Sequence, residues 1–125
     1  MTSSPSPLVL GRRPFGRTGL SVAPLGLAGS FGIDAEGVQR AFHELGVNYF
    51  FVTPRTKQMV EGVRRLVADG HRKDIVIAAG ANVPVGATIG FELDKVCKRL
   101  GVDTIDVWHL FWVQGRWYVK GKTWP

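Results

Sequence analysis

The chain has 125 residues, 45% of them apolar and 21% charged, the composition of one ordinary globular domain and not of a disordered segment. Its formal net charge is +6 with a sequence pI near 10.0, which favours anionic partners in general. Of the basic clusters Arg12-Arg13, Arg64-Arg65, Arg72-Lys73, Lys98-Arg99 and Lys120-Gly121-Lys122, most fall on expected helix faces or their ends, where charge is solvated, and no nucleic-acid motif accompanies them, so no nucleic-acid partner is expected. A single cysteine, Cys97, excludes an internal disulfide and fits a reducing compartment. No apolar run reaches the ~18 residues of a membrane span, and the expected location is the cytoplasm.

Residues 1–9 are rich in Ser and Pro and read as a disordered leader without a signal-peptide pattern. Residues 13–22 predict a β-hairpin around Arg17-Thr18-Gly19. Pro24 to Ala28 is a short apolar run, the first candidate strand. Asp34 is a plausible N-cap; Val38, Ala41, Phe42 and Leu45 follow at helical spacing and Gly46 closes the helix. Val47 to Thr53 is rich in β-branched and aromatic residues and predicts a buried strand. Met59, Val60, Val63, Leu66 and Val67 mark a second helix ending near Gly70. Asp74 to Ala79 is the third strand, followed by a loop from Gly80 to Gly86. Ile89, Leu93, Val96 and Leu100 mark the third helix, closed by Gly101. Thr104 to Val113 is the fourth strand, and residues 114–125 form a loop or tail. Strands alternating with helices predict parallel pairing with right-handed crossovers.

Four blocks carry a family likeness. Phe15 to Gly26 (FGRTGLSVAPLG) is the most specific; Gly46-Val47-Asn48, Lys73 to Ala78 (KDIVIA) and Lys98 to Asp106 (KRLGVDTID) follow in order and spacing. Together they resemble the aldo/keto reductase superfamily over residues 10–113. The resemblance implies an α/β fold, a partial (β/α)8 barrel of about four parallel strands and three helices preceded by a β-hairpin. A complete barrel of this kind needs roughly 250 residues, so the second half has no counterpart in this sequence.

Members of that family reduce carbonyls with NADP or NAD. A tyrosine gives the proton, a lysine and an aspartate tune it, and a histidine orients the carbonyl. The resemblance places Phe51 where the aspartate belongs, Thr56 for the tyrosine, Gly80 for the lysine and Phe111 for the histidine, so none of the four is matched. An alkyl hydroxyl is a far weaker acid than a phenol, and loss of a general acid alone removes ~10²- to 10⁴-fold in rate. The family grips the cofactor's phosphates mainly from the second half-barrel, and Gly80 to Gly86 is no dinucleotide fingerprint because Pro84 interrupts it. No metal site is expected.

Ser30, Thr53, Arg55, Lys57 and His109 are the remaining pocket candidates. Arg55 and Lys57, in the loop after the second strand, either hold an anion or are solvated. His109 shares a strand face with Phe111 but lies about 6–7 Å deeper; its plainer reading is a buried histidine bonded to a neighbour. Cys97 reads as a core residue and Asp106 as a structural hydrogen-bonding group. Two functional expectations stand side by side: a reductase-like protein inactive as this chain alone, or a non-enzymatic binding or assembly module on a decayed half-barrel. An open half-barrel bares its inner face, which leaves three explanations: a fragment of a longer protein, pairing with a second copy or another half-barrel, or cover by the tail through Trp117, Tyr118 and Trp124.

Overall fold

The computed structural model describes residues 9–81 and 86–111. Arg13–Pro14 (β1) and Ser21–Val22 (β2) form the antiparallel hairpin. Then follow Leu27–Ala28 (β3), Ala35–Leu45 (α1), Tyr49–Phe51 (β4), Lys57–Ala68 (α2), Val76–Ala81 (β5), Gly86–Leu100 (α3) and Val107–Leu110 (β6). The sheet has the order β3-β4-β5-β6 with every neighbouring pair parallel. This is a partial (β/α)8 barrel, with three helices on one side of the sheet and the hairpin beside it.

The helix caps are local chemistry. The Asp34 carboxylate accepts from the Gly37 amide at 2.7 Å and starts α1, satisfying a donor that the helix itself leaves free. Gly46 ends it at φ 76, a left-handed conformation that costs a glycine little. The chain then turns straight into β4.

The strands are shorter than their apolar runs suggest. The Pro24 to Ala28 run pairs only at Leu27–Ala28, and Val47 to Thr53 only at Tyr49–Phe51. The third strand is shifted: Arg72–Asp74 make a 3-10 turn and the strand runs from Val76 through Gly80 to Ala81. The Arg72 guanidinium explains the shift. It donates to the Thr104 carbonyl at 2.9 Å, the Asp106 carboxylate at 3.0 Å and the Ile75 carbonyl at 3.3 Å, holding the turn against the approach to β6. Asp106 also accepts from the Ile77 amide at 2.8 Å, so its side chain substitutes for a ladder partner and the fourth strand starts only at Val107. The third helix begins at Gly86, earlier than its apolar positions indicate. The leader up to residue 8, loop residues 82–85 and the tail from 112 onward lie outside the described residues, as do Trp117, Tyr118 and Trp124.

The core lies between the sheet and the helices. Phe50, Ile77 and Ala79 on the strands and Val52 just after β4 meet Val38, Met59, Val63, Leu66 and Leu100 on the helices, all essentially inaccessible to water. Each large side chain so buried stabilises the fold by roughly 1.5–3 kcal/mol. Helices α1 and α2 approach so closely that a Cβ on Gly62 would stand 2.5 Å from the Val38 Cβ.

Asn48 fixes the hairpin to this body. Its side chain is buried, accepts from the Ala23 amide at 2.7 Å and donates to the Ser21 carbonyl at 2.8 Å. Arg12 adds a bond to the Asp74 carbonyl at 3.1 Å. The hairpin therefore closes the end of the sheet where the strands begin. No helix among the described residues is long and apolar enough to cross a membrane.

Candidate functional site

Side chains alternate along a strand, so the residues between the core positions face away from the helices. On β4 these are Tyr49 and Phe51. In register, Ala28 lies beside Phe51, Phe51 beside Ala78, and Gly80 beside His109. The β5 residues Ala78 and Gly80 are small, and large side chains from β4 and β6 meet over them. The Phe51 ring lies edge-on to His109 with centroids 5.5 Å apart and to Phe111 at 5.7 Å. Such edge-to-face pairs match the charge distribution of aromatic rings.

Gly26, Leu27, Ala28, Tyr49, Phe51, His109 and Phe111 line a groove of about 380 Å³, within the size range of small-molecule sites. One polar pair stands in it: the Tyr49 hydroxyl lies 3.3 Å from His109 Nε2. Burial raises the Tyr49 phenol above its ordinary value, because the anion would lose solvation. The Phe15 ring beside the hairpin packs edge-on against Tyr49 with centroids 5.7 Å apart.

Gly80 and Phe111 are coupled. A Cβ at position 80 would stand 2.6 Å from the Phe111 ring and 2.5 Å from the His109 carbonyl oxygen. The Phe111 ring thus occupies the space through which a longer side chain at 80 would have to leave the strand. Thr56 is likewise committed elsewhere: its hydroxyl accepts from the Thr53 amide at 3.0 Å and donates to the Thr53 carbonyl at 3.1 Å, bracing the turn before α2. Thr53 offers its own hydroxyl to the Thr56 hydroxyl oxygen at 3.4 Å.

The structure brings Phe51, Gly80, His109 and Phe111 together and leaves the other candidates apart. Ser30 is exposed in the turn after β3, Arg55 is exposed in the turn after β4, and Lys57 is the first residue of α2 and not a loop residue; none of the three lines the groove. His109 is bonded to a neighbour, but it is exposed, because its ring stands on the open side of the sheet. Cys97 is half-buried and not a core residue; burial raises its thiol, helped by the nearby charges of Asp94 and Asp103. The residue that sequence reasoning missed as a functional group is Tyr49. Its strand parity with Phe51 was readable, but its reach to His109, 60 positions away, was not.

A larger hollow of about 490 Å³ lies at the opposite end, among Arg12, Ser21, Asn48, Arg72, Lys73 and Asp106. Asn48, Arg72 and Asp106 there are already engaged in joining the hairpin and the strand starts, and that end of such a sheet serves stability.

A nicotinamide dinucleotide carries phosphate charge that basic side chains or a helix N-terminus must meet. Among the described residues no Lys or Arg lines the inner groove, and these lining residues do not fit that cofactor's phosphates. No cluster of three or more His, Cys, Asp or Glu suited to a metal occurs among the described residues. No family model and no curated protein matches this chain.

Proposed function

We propose that this chain is an aldo/keto reductase-like half-barrel that does not reduce carbonyls by itself and works as a binding or assembly module through its inner face. The observation that carries this reading is the Phe111 ring packed over Gly80. Where the resemblance calls for a charged lysine, the chain has no side chain and an aromatic ring fills the space. Thr56, at the tyrosine position, spends its hydroxyl on the Thr53 turn. Phe51 and Phe111 make an apolar wall of what the family lines with ionisable groups.

The Tyr49–His109 pair gives the face one directional polar feature. A neutral phenol and an imidazole at 3.3 Å can share a ligand oxygen or simply hold each other in place. Among the described residues lining the groove, Tyr49 supplies the phenol, the kind of proton donor that the resemblance calls for. It therefore marks the variant for the decisive assay.

Purified protein is mixed with NADPH or NADH and a panel of aliphatic and aromatic aldehydes, and cofactor absorbance is followed. The expected result is no aldehyde-dependent oxidation above the protein-free rate. Turnover that requires the aldehyde and falls ~10²-fold or more in Tyr49→Phe, the loss typical of removing a general acid, would overturn the reading.

A further inference from the structure

The hollow at the end of the sheet where the strands begin holds about 490 Å³, within the size range of small-molecule sites. Its wall is fixed in place. Asn48 donates to the Ser21 carbonyl of the hairpin, and Arg72 donates to the Thr104 carbonyl and the Asp106 carboxylate. These bonds tie one side of the wall to the other, so the cavity does not have to be assembled when a ligand arrives.

The charges in this wall do not balance. Arg72 and Asp106 cancel as an ion pair at 3.0 Å. Arg12 and Lys73 also line the hollow, and neither enters an ion pair among the described residues. All 10 Asp and Glu of the chain are among the described residues, since residues 1–8, 82–85 and 112–125 contain none. No further acidic side chain of this sequence exists to neutralise the two cations. Asp74, the remaining carboxylate of the lining, sets its Oδ2 against His71 Nδ1 at 3.3 Å and offers Arg12 its backbone carbonyl at 3.1 Å. That bond uses one of the five N–H groups of the Arg12 guanidinium.

We infer that this hollow binds a small organic phosphate, its phosphate group held by Arg12 and Lys73 and its organic part in the remaining space beside Leu20, Ile75 and Val76, which line the same hollow. A guanidinium fork gives a phosphate directional bonds, and an ammonium adds a point charge. Ser21 and Thr104, also in the lining, bring hydroxyls able to donate to its oxygens. A phosphate monoester carries about −1.5 to −2 charge and three strong acceptor oxygens at neutral pH, which matches two cations better than a carboxylate with its single charge. The bare ion would fill only a small part of the space, so an organic phosphate suits the hollow better than the inorganic one. The net charge of +6 draws such an anion toward the chain.

This hollow shares no lining residue with the inner groove, so its test is separate from that of the inner face, and the failure of either reading leaves the other standing. The experiment is a titration of the full chain with phenyl phosphate in chloride buffer of matched ionic strength, followed by amide chemical shifts in two-dimensional NMR. The expected result is a saturating shift at Ser21, Lys73 and Thr104, with the Phe51 and His109 amides unmoved. Inorganic phosphate should move the same amides with weaker affinity, and benzoate should bind more weakly than phenyl phosphate.

Lys73→Gln removes an exposed ammonium and should weaken binding about tenfold, the loss of one charge-assisted bond, with an unchanged circular-dichroism spectrum. Arg12→Lys keeps the charge, loses the fork and should weaken binding several-fold. Lys98→Gln, on α3 and outside the hollow, lowers the net charge equally and should leave the affinity unchanged. The absence of a saturable shift overturns the inference. So do shifts centred on the inner groove, benzoate or inorganic phosphate binding as tightly as phenyl phosphate, an affinity indifferent to Lys73→Gln or to Arg12→Lys, or an equal loss in Lys98→Gln, which would mark an effect of bulk charge.

Discussion

Phe50 and Phe51 are neighbours on the same three-residue strand, and their surroundings are opposite. Phe50 is wholly inaccessible to water, enclosed by the helix layer. Phe51 stands on the other face, half-exposed, touching His109 and Phe111 by their edges. The strand's two-residue period sends one ring to each side. The helix side is a finished core. The inner side has aromatic walls and, among the described residues, an open front. The difference teaches that the two faces of this sheet are built differently: the helix layer fills one, and the described residues leave the other uncovered.

Equilibrium unfolding in urea is the sharpest way to break that contrast. Phe50→Ala should cost about 3–5 kcal/mol, the usual range for a fully buried aromatic. Phe51→Ala should cost about 1 kcal/mol, since only part of its burial is lost. Equal losses would mean that the inner face is as much a core as the helix side, and the comparison would fall.

Asn48 tests the join between the body and the hairpin. Asn48→Ala leaves the buried Ala23 amide without its acceptor and should cost about 1–3 kcal/mol. Faster amide exchange at Ala23, with the α2 amides unchanged, would place the damage at the join between hairpin and body. Uniform loosening of the whole chain would instead make Asn48 part of the helix-side core.

Two glycines sharpen the comparison inside the helix layer. At Gly62 an added methyl would stand 2.5 Å from the Val38 Cβ, whereas at Gly90 it would meet nothing within 4 Å. Overpacking costs about 1–3 kcal/mol against a helix-propensity gain of about 1 kcal/mol. Gly62→Ala should therefore be destabilising by about 1 kcal/mol and Gly90→Ala stabilising by a similar amount. Thermal melts of the two variants should move in opposite directions.

The smallest effect lies on the exposed surface of α2. Hydrogen bonds from Arg64 first, and also from Arg65, hold the Glu61 carboxyl down at about 2. A depressed folded pKa contributes stability that is fully present above the unfolded value of roughly 4.3 and is lost as pH falls toward 2. Glu61→Gln should remove that slope between roughly pH 4 and 2 and change little at neutral pH, as exposed ion pairs usually do. A large neutral-pH loss would show that this surface network, and not the buried face, carries the helix layer.

The sequence by itself determined the helices, the hairpin, the parallel order of the strands and the sidedness of Phe51, His109 and Phe111. These follow from short-range rules: a 3.6-residue or two-residue apolar period, an Asp34 cap, a Gly46 stop. Tertiary structure alone decided the rest. Strand ends moved because Arg72 and Asp106, 34 positions apart, made bonds that no local pattern announces. Thr56 lost its hydroxyl to a turn. Tyr49 met His109, 60 positions away, across the intervening strand β5. A period reports which way a side chain points; only the curvature of the folded sheet determines which distant side chain it reaches.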